Sequence, residues 1–208
     1  FLGKSDREAA SVMSSAQRHT HFLDSPRIVA ATARSDFQFS ALLHDLTSIF
    51  LVLPPNRLDA YSRWLRLLVA QALQDIARDA EAAQVGAQRL KQPALFLLDE
   101  FAALGRLEAV ERAMGLMAGY GLQLWPILQD MSQLKDLYGA RANTFVANAG
   151  VLQTFGVNDF ETARWLSQSM GKETIGYQTE SHRPGDISTT TQHIAARDLM
   201  TPDEIMQI

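Results

Sequence analysis

Asp99, Glu100 and Gln129 are the residues of this chain whose types and spacing could do chemistry. The two acids stand side by side where the apolar run Ala94–Leu98 ends, and Gln129 closes a second apolar run, "GLQLWPILQ". A carboxylate at a strand end is a hard oxygen ligand for magnesium, often through the ion's water shell. A glutamate next to it can polarise the water that attacks a phosphoanhydride. An amide on the neighbouring strand can hold that water or contact the γ-phosphate, because phosphoryl transfer rests mostly on positioning and charge neutralisation. A simpler reading competes. Acids also favour the N-terminal dipole of a following helix, and a lone Gln can be no more than a polar strand terminus.

A nucleotide site needs a phosphate-binding loop, G-x-x-x-x-G-K-[ST], after a strand. The only G-K-S here is Gly3-Lys4-Ser5, with just Phe1 and Leu2 before it. Neither the first glycine nor the strand is present, so the match reads as an accident ahead of a helix. No complete phosphate cradle is encoded.

The elements that must position the acids follow from periodicity. "TSIFLVLPP" (47–55) reads as a buried strand ended by prolines. Asn56 is the expected cap of a long helix, on which Tyr61, Trp64, Leu65, Leu68, Val69, Ala72, Leu73 and Ile76 form one apolar stripe. Residues 81–92 read as a polar connector, 94–98 as a second strand and 105–119 as a helix. A third strand over 121–129 contains Pro126, which central strands dislike. A short helix over 130–139 and a fourth strand over 150–156 follow. Asn158 or Asp159 caps a helix over about 160–170, stopped by Gly171. Residues 173–192 suit a hairpin, and Thr201-Pro202 opens a last helix. At the other end, Ser5 and Glu8 form a capping box for a helix over 5–22. Alternating strands and helices predict an α/β fold, a mainly parallel sheet flanked by helices with a helical segment at the N-terminus. Ligands bind such sheets beyond the carboxyl ends of the strands, where Asp99, Glu100 and Gln129 stand.

Composition narrows the class. The 208 residues are 47% hydrophobic with a net charge of −4, so no overall positive field draws nucleic acid. The absence of cysteine excludes disulfides and thiolate metal sites and suits a reducing compartment. No apolar run approaches the roughly 18 residues of a membrane span. A start at Phe1, without an initiator Met or a signal peptide, reads as part of something longer. His19 and His21 make an H-x-H with no third ligand in sequence, which argues against zinc.

The stretches "SDREAASVMSSAQRHTHFLDSPR", "FLVLPPNRLDAYSRWLRLL", "LFLLDEFAALGRLEAVERAMGLMAGYGLQLWPILQDMSQLKDLYG" and "TFVANAGVLQTFGVNDFETARWLSQSMG" resemble the TraG-type coupling proteins of conjugative type IV secretion. These belong to the ring-forming, DNA-translocating P-loop ATPases, and the resemblance covers nearly the whole chain. It implies that residues 1–28 end an all-helical insertion and that residues 29–208 are the C-terminal part of the nucleotide-binding domain, the phosphate loop lying elsewhere. It implies ATP and Mg2+ as cofactors, with Asp99 on the metal's water shell, Glu100 activating water and Gln129 sensing the γ-phosphate. The implied partners are a relaxase bound to single-stranded DNA, the components of the secretion channel, and further copies in a homo-hexamer at the cytoplasmic side of the bacterial inner membrane. The family's trans-acting arginine has Arg106 and Arg112 as candidates here, since "LMAGYGLQ" holds none. Lys135, Lys172 and Arg183 are candidates for lining a DNA channel, against the simpler reading of solvated cations. The alternative from another class is a catalytically inert substrate-binding module. A translocase for chromosomal DNA is set back by the conjugative look of "GLMAGYGLQLWPILQD".

Overall fold

The computed structural model describes residues 5–85, 92–181 and 189–208. They divide into two compact units, Phe1–Gln129 with Gln133–Ala149, and Asp130–Ser132 with Gly150–Ile208.

The first unit opens on α1 (Asp6–Thr20). Ser5 caps it with the expected capping box: the Ser5 hydroxyl accepts from the Glu8 amide and the Glu8 carboxylate accepts from the Ser5 amide. Two short helices follow, α2 (Pro26–Thr32) and α3 (Ala41–His44). The long helix α4 (Leu58–Val85) carries the apolar stripe, with Leu65, Val69, Ala72, Leu73 and Ile76 buried. Tyr61 joins it through its hydroxyl, 3.0 Å from Ser25 Oγ. Asn56 is not its cap. A 3-10 turn over Pro55–Arg57 leads into α4, and the position before that turn is Pro54. The helix also runs into the expected polar connector, as far as Val85, because Ala80 and Ala83 prolong its buried face.

The strand β1 (Ala94–Leu98) pairs in parallel with β2 (Leu122–Pro126), Ala94 opposite Leu122 and Leu98 opposite Pro126. Pro126 ends its strand, a place where the missing donor is tolerated. Between the two lies α5 (Glu108–Leu116), followed by a 3-10 turn over Met117–Tyr120, together a little shorter than the helix expected from Gly105. After β2 come α6 (Met131–Tyr138) and α7 (Ala142–Ala147).

Two expected strands do not form. Residues 47–55 contain no strand, and neither do residues 150–156. Both are apolar and β-rich, but a strand exists only where a neighbour accepts its hydrogen bonds, and no neighbour pairs with either among the described residues. The sheet of this unit therefore has two described strands. One face, with Ala94, Leu98 and Leu122, is buried. The other leaves Leu95, Leu97 and Trp125 about half exposed, although parallel sheets normally carry cover on both faces.

Behind the strand ends, Phe101, Tyr138 and Phe145 form an aromatic cluster. Tyr138 and Phe145 stand 4.5 Å apart and Phe101 lies 6.0 and 5.8 Å from them. The Tyr138 hydroxyl accepts from the Leu107 amide at 3.0 Å and donates to its carbonyl at 3.5 Å. Burial holds the phenol's pKa above its ordinary value, so Tyr138 stays a neutral donor.

In the second unit, Asp159 caps α8 (Phe160–Met170), its carboxylate accepting from the Thr162 amide at 2.9 Å. Gly171 stops the helix at φ 82°. The expected hairpin is present as antiparallel β3 (Lys172–Ser181) and β4 (Thr189–Asp198), longer at its far end than the alternation indicated. A capping box between Thr201 and Glu204 opens α9 (Pro202–Ile205). Ala163, Leu166 and Ile205 form this unit's core, with Val157, Trp165 and Met200 packed on it. Among the described residues no helix is long and apolar enough to cross a membrane.

The Tyr138 hydroxyl gives the first unit a clean test. Tyr138→Phe leaves the buried Leu107 amide without its acceptor, which costs about 1–3 kcal/mol. Thermal unfolding should show a Tm roughly 2–4 °C lower per kcal/mol for a chain of this size. An unchanged Tm would mean that the hydroxyl does not brace this loop.

Candidate functional site

The site stands where β1 and β2 end. Backbone pairing continues past both assigned strands: the Ile127 amide donates to the Leu98 carbonyl and the Phe101 amide donates to the Ile127 carbonyl, each at 3.0 Å. These bonds bracket Asp99 and Glu100. Phe101 is completely buried in the aromatic cluster, while both acids are exposed. The chain must therefore turn sharply between a solvated residue and a core residue. Glu100 absorbs that turn at φ 49°, ψ 45°, and it is the one non-glycine with positive φ among the described residues. Such a conformation costs roughly 1–2 kcal/mol for a residue with a Cβ. A side chain held there at that cost is consistent with a functional role.

The geometry brings the sequence-selected residues together. The Gln129 Nε2 donates to both Glu100 carboxylate oxygens at 3.3 Å. The Gln129 amide in turn donates to Gln133 Oε1 at 3.1 Å, so the first turn of α6 orients the glutamine's backbone. Asp99 Oδ1 accepts from the Glu100 amide at 3.1 Å. Its second oxygen has no hydrogen-bond partner among the described residues. An exposed carboxylate oxygen, a second carboxylate beside it and open solvent around them are the donor set that magnesium takes when waters and phosphates complete its shell. Among the described residues no group of three or more His, Asp or Glu forms an all-protein cage for a metal, and His19 and His21 do not build one. The acids do not open α5, which starts only at Glu108; Glu100 stands at the cap position of the 3-10 turn Phe101–Leu104 and makes no side-chain capping bond there.

Two of the basic candidates, Arg106 and Arg112, are paired with glutamates of α5. Arg106 lies 3.8 Å from Glu111 and 4.0 Å from Glu108, and Arg112 lies 3.9 Å from Glu108. Arg141 also reaches Glu111, at 3.1 Å. Glu111 is the shielded centre of that cluster, its side chain only 10% exposed. Lys172 pairs with Asp198 at 3.5 Å, Lys135 is exposed, and Arg183 lies outside the described residues, as do Gly3 and Lys4.

Sequence patterns did not point to Phe101, Ile127 and Gln133. Phe101 follows the acids directly and could have been read as their anchor from its position alone. Gln133 stands four residues after Gln129, at first-turn helix spacing. Ile127 contributes only its backbone, which carries no residue signature.

The left-handed turn is testable without activity. Glu100→Gly relieves the strain and Glu100→Val increases it, since β-branched residues tolerate positive φ least. The valine variant should melt below the glycine variant by an amount worth about 1–2 kcal/mol. Equal Tm values for the two would show that the backbone is not held left-handed in solution.

The family model described as "Type IV secretory system Conjugative DNA transfer" matches residues 1–208. The conjugal transfer protein TraG of Escherichia coli is 31% identical over 222 residues, covering 100% of this chain and 34% of its own length. Protein VirD4 of Agrobacterium fabrum is 34% identical over 158 residues, covering 76% of this chain and 23% of its own length. The chain thus spans about a third of the TraG relatives it matches. Among solved structures, the unbound bacterial conjugative coupling protein TrwB superposes with a TM-score of 0.69 at 21% identity, covering 99% of this chain and 46% of that one. TrwB in complex with ADP and Mg2+ superposes at 0.66 with 22% identity, covering 99% and 45%. These likenesses show that the chain shares the α/β fold of TrwB, and an α/β fold is what the alternation of strands and helices led one to expect. Matched from end to end by the family model, this chain belongs to the conjugative DNA-transfer proteins of type IV secretion.

Proposed function

We infer that the chain supplies the metal-and-water half of an ATPase site in a longer coupling protein. The observation that supports this best is the Gln129 amide resting on both oxygens of Glu100, with Asp99 alongside, at the carboxyl ends of two parallel strands. Bound Mg2+–ATP would bring a charge-neutralising cation to the γ-phosphate. Asp99 is the residue that would hold that ion's water shell, since one of its oxygens has no hydrogen-bond partner among the described residues. Glu100 draws a proton from the attacking water, and Gln129 fixes the direction of the Glu100 carboxylate and feels whether a γ-phosphate is present. The phosphate cradle comes from chain beyond these 208 residues. On this reading residues 1–28 close a helical insertion and residues 29–208 belong to the nucleotide-binding domain. The longer protein would work as a homo-hexamer at the cytoplasmic side of the inner membrane. It would use hydrolysis to recruit relaxase-bound single-stranded DNA, or a protein substrate, and pass it to the secretion channel. Arg106 and Arg112 are weaker candidates for a trans-acting arginine, because both are already engaged by glutamates of α5.

The second reading concerns the chain by itself. With no phosphate cradle of its own, it would act alone as an inert substrate-binding module. Two measurements separate the readings. In the full-length protein, Glu100→Gln should bind Mg2+–ATP nearly as the parent does and release phosphate at least about 100-fold more slowly, the lower range for loss of a general base. Undiminished turnover would refute the role given to Glu100. The 208-residue chain alone should show no phosphate release above buffer; appreciable turnover would reveal a cradle within it.

A further inference from the structure

Among the described residues, α1, α6 and α9 carry a glutamate or glutamine as their third residue, and α6 departs from the pattern of the other two. At α1 the Glu8 carboxylate accepts from the Ser5 amide at 3.2 Å, and at α9 the Glu204 carboxylate accepts from the Thr201 amide at 2.8 Å. In both, the side chain reaches back to the amide of the residue just before the helix, which is the ordinary closure of a capping box. α6 starts at Met131, so its third residue is Gln133 and the residue just before it is Asp130. Gln133 Oε1 reaches past Asp130, one residue further back, and accepts from the Gln129 amide at 3.1 Å. The amide it takes belongs to the residue whose side chain lies on Glu100.

Gln129 needs such a hold. Pairing between the two strand ends stops at Ile127, and among the described residues no backbone–backbone bond uses Gln129. The residue is exposed, whereas Gln133 is half-buried. The platform behind Gln133 is fixed: Leu134 beside it and Tyr138 at the far end of α6 are buried, and Tyr138 stacks on Phe101. One helix thus ties Gln129 to the aromatic cluster that anchors the turn at Glu100. The choice of amide over acid is the second departure. A glutamate suits the first turn of a helix better, because the dipole attracts it, and α1 and α9 both use one. At position 133 a glutamate would put a third carboxylate behind the acidic pair, with only Gln129 between it and Glu100. A glutamine offers the same acceptor without the charge.

We propose that Gln133 is a positioning residue for the hydrolysis, an inference that rests on the nucleotide reading of Asp99, Glu100 and Gln129. Through the Gln129 backbone it fixes where the Gln129 side chain meets Glu100, and its neutrality leaves the site open to the negative charge of a triphosphate. The two features have separable consequences. The acceptor oxygen governs turnover, because it sets the group that aims the Glu100 carboxylate. The absence of charge governs affinity, because a further anion repels a polyphosphate.

The test is steady-state phosphate release by the full-length protein. Gln133→Met keeps the length and helix-forming tendency of the side chain and removes the acceptor. Its kcat for Mg2+–ATP should fall about tenfold or more with KM within about twofold of the parent, since a misplaced group loses rate and not uniform binding. Gln133→Glu restores an acceptor and adds a charge. Its kcat should return to within about threefold of the parent, while KM should rise about threefold or more at low salt and less at high salt. A structural role alone would not split the two constants in this way, and Gln133→Glu keeps the charge testable even where Gln133→Met does not fold. Parent-like kcat in Gln133→Met, a kcat loss that Gln133→Glu does not recover, or an unchanged KM in Gln133→Glu at low salt would overturn the proposal. Glu100→Gln, run beside them, tells the two failures apart. Parent-like turnover there sinks the nucleotide reading and this inference with it, whereas a slow Glu100→Gln beside a normal Gln133→Met overturns the role of Gln133 alone.

Discussion

One buried ring organises the site. Phe101 is sealed among Tyr138 and Phe145, and its amide is tied to Ile127 on the neighbouring strand. Burying a phenylalanine contributes roughly 1.5–3 kcal/mol, enough to offset the left-handed turn forced on Glu100. The acid is exposed because its neighbour is not. With β1 held on one side and Phe101 on the other, the Glu100 carboxylate has little choice but to stand over the end of β2, where Gln129 meets it.

The same cluster extends support outward. Tyr138 stacks on Phe101 and also grips the backbone at Leu107, the entrance to α5. Glu111 on α5 gathers Arg106 and Arg141. This polar network is partly solvated, and exposed ion pairs contribute little singly, so the aromatic packing carries the loop's stability. The arginines are placed by that packing, and their charge is spent locally on the glutamates.

The described sheet is short for its class. Among the described residues its two strands have one half-bare face and no further strand at either edge, whereas parallel sheets are normally covered on both faces. The relatives are about three times as long as this chain, and TrwB about twice. Among the described residues "TSIFLVL" and "GVLQTFG" pair with no neighbour and form no strand.

Sequence alone determined the features that depend on local chemistry. Capping boxes at Ser5–Glu8 and Thr201–Glu204, the Asp159 cap, the Gly171 stop and the stripe on α4 are all written within a few residues of where they act. So are the identity of the acids and the glutamine that follows the next strand. Tertiary structure decided what needs a partner distant in the chain. Whether an apolar run is a strand depends on a neighbouring edge, and residues 47–55 and 150–156 have none among the described residues. Whether Glu100 faces solvent or core depends on Phe101 finding Tyr138, 37 positions along. Whether Gln129 meets Glu100 depends on the register between β1 and β2. Hydrophobic pattern and capping are short-range and can be read from neighbours; pairing and register are cooperative and exist only once the chain has closed on itself.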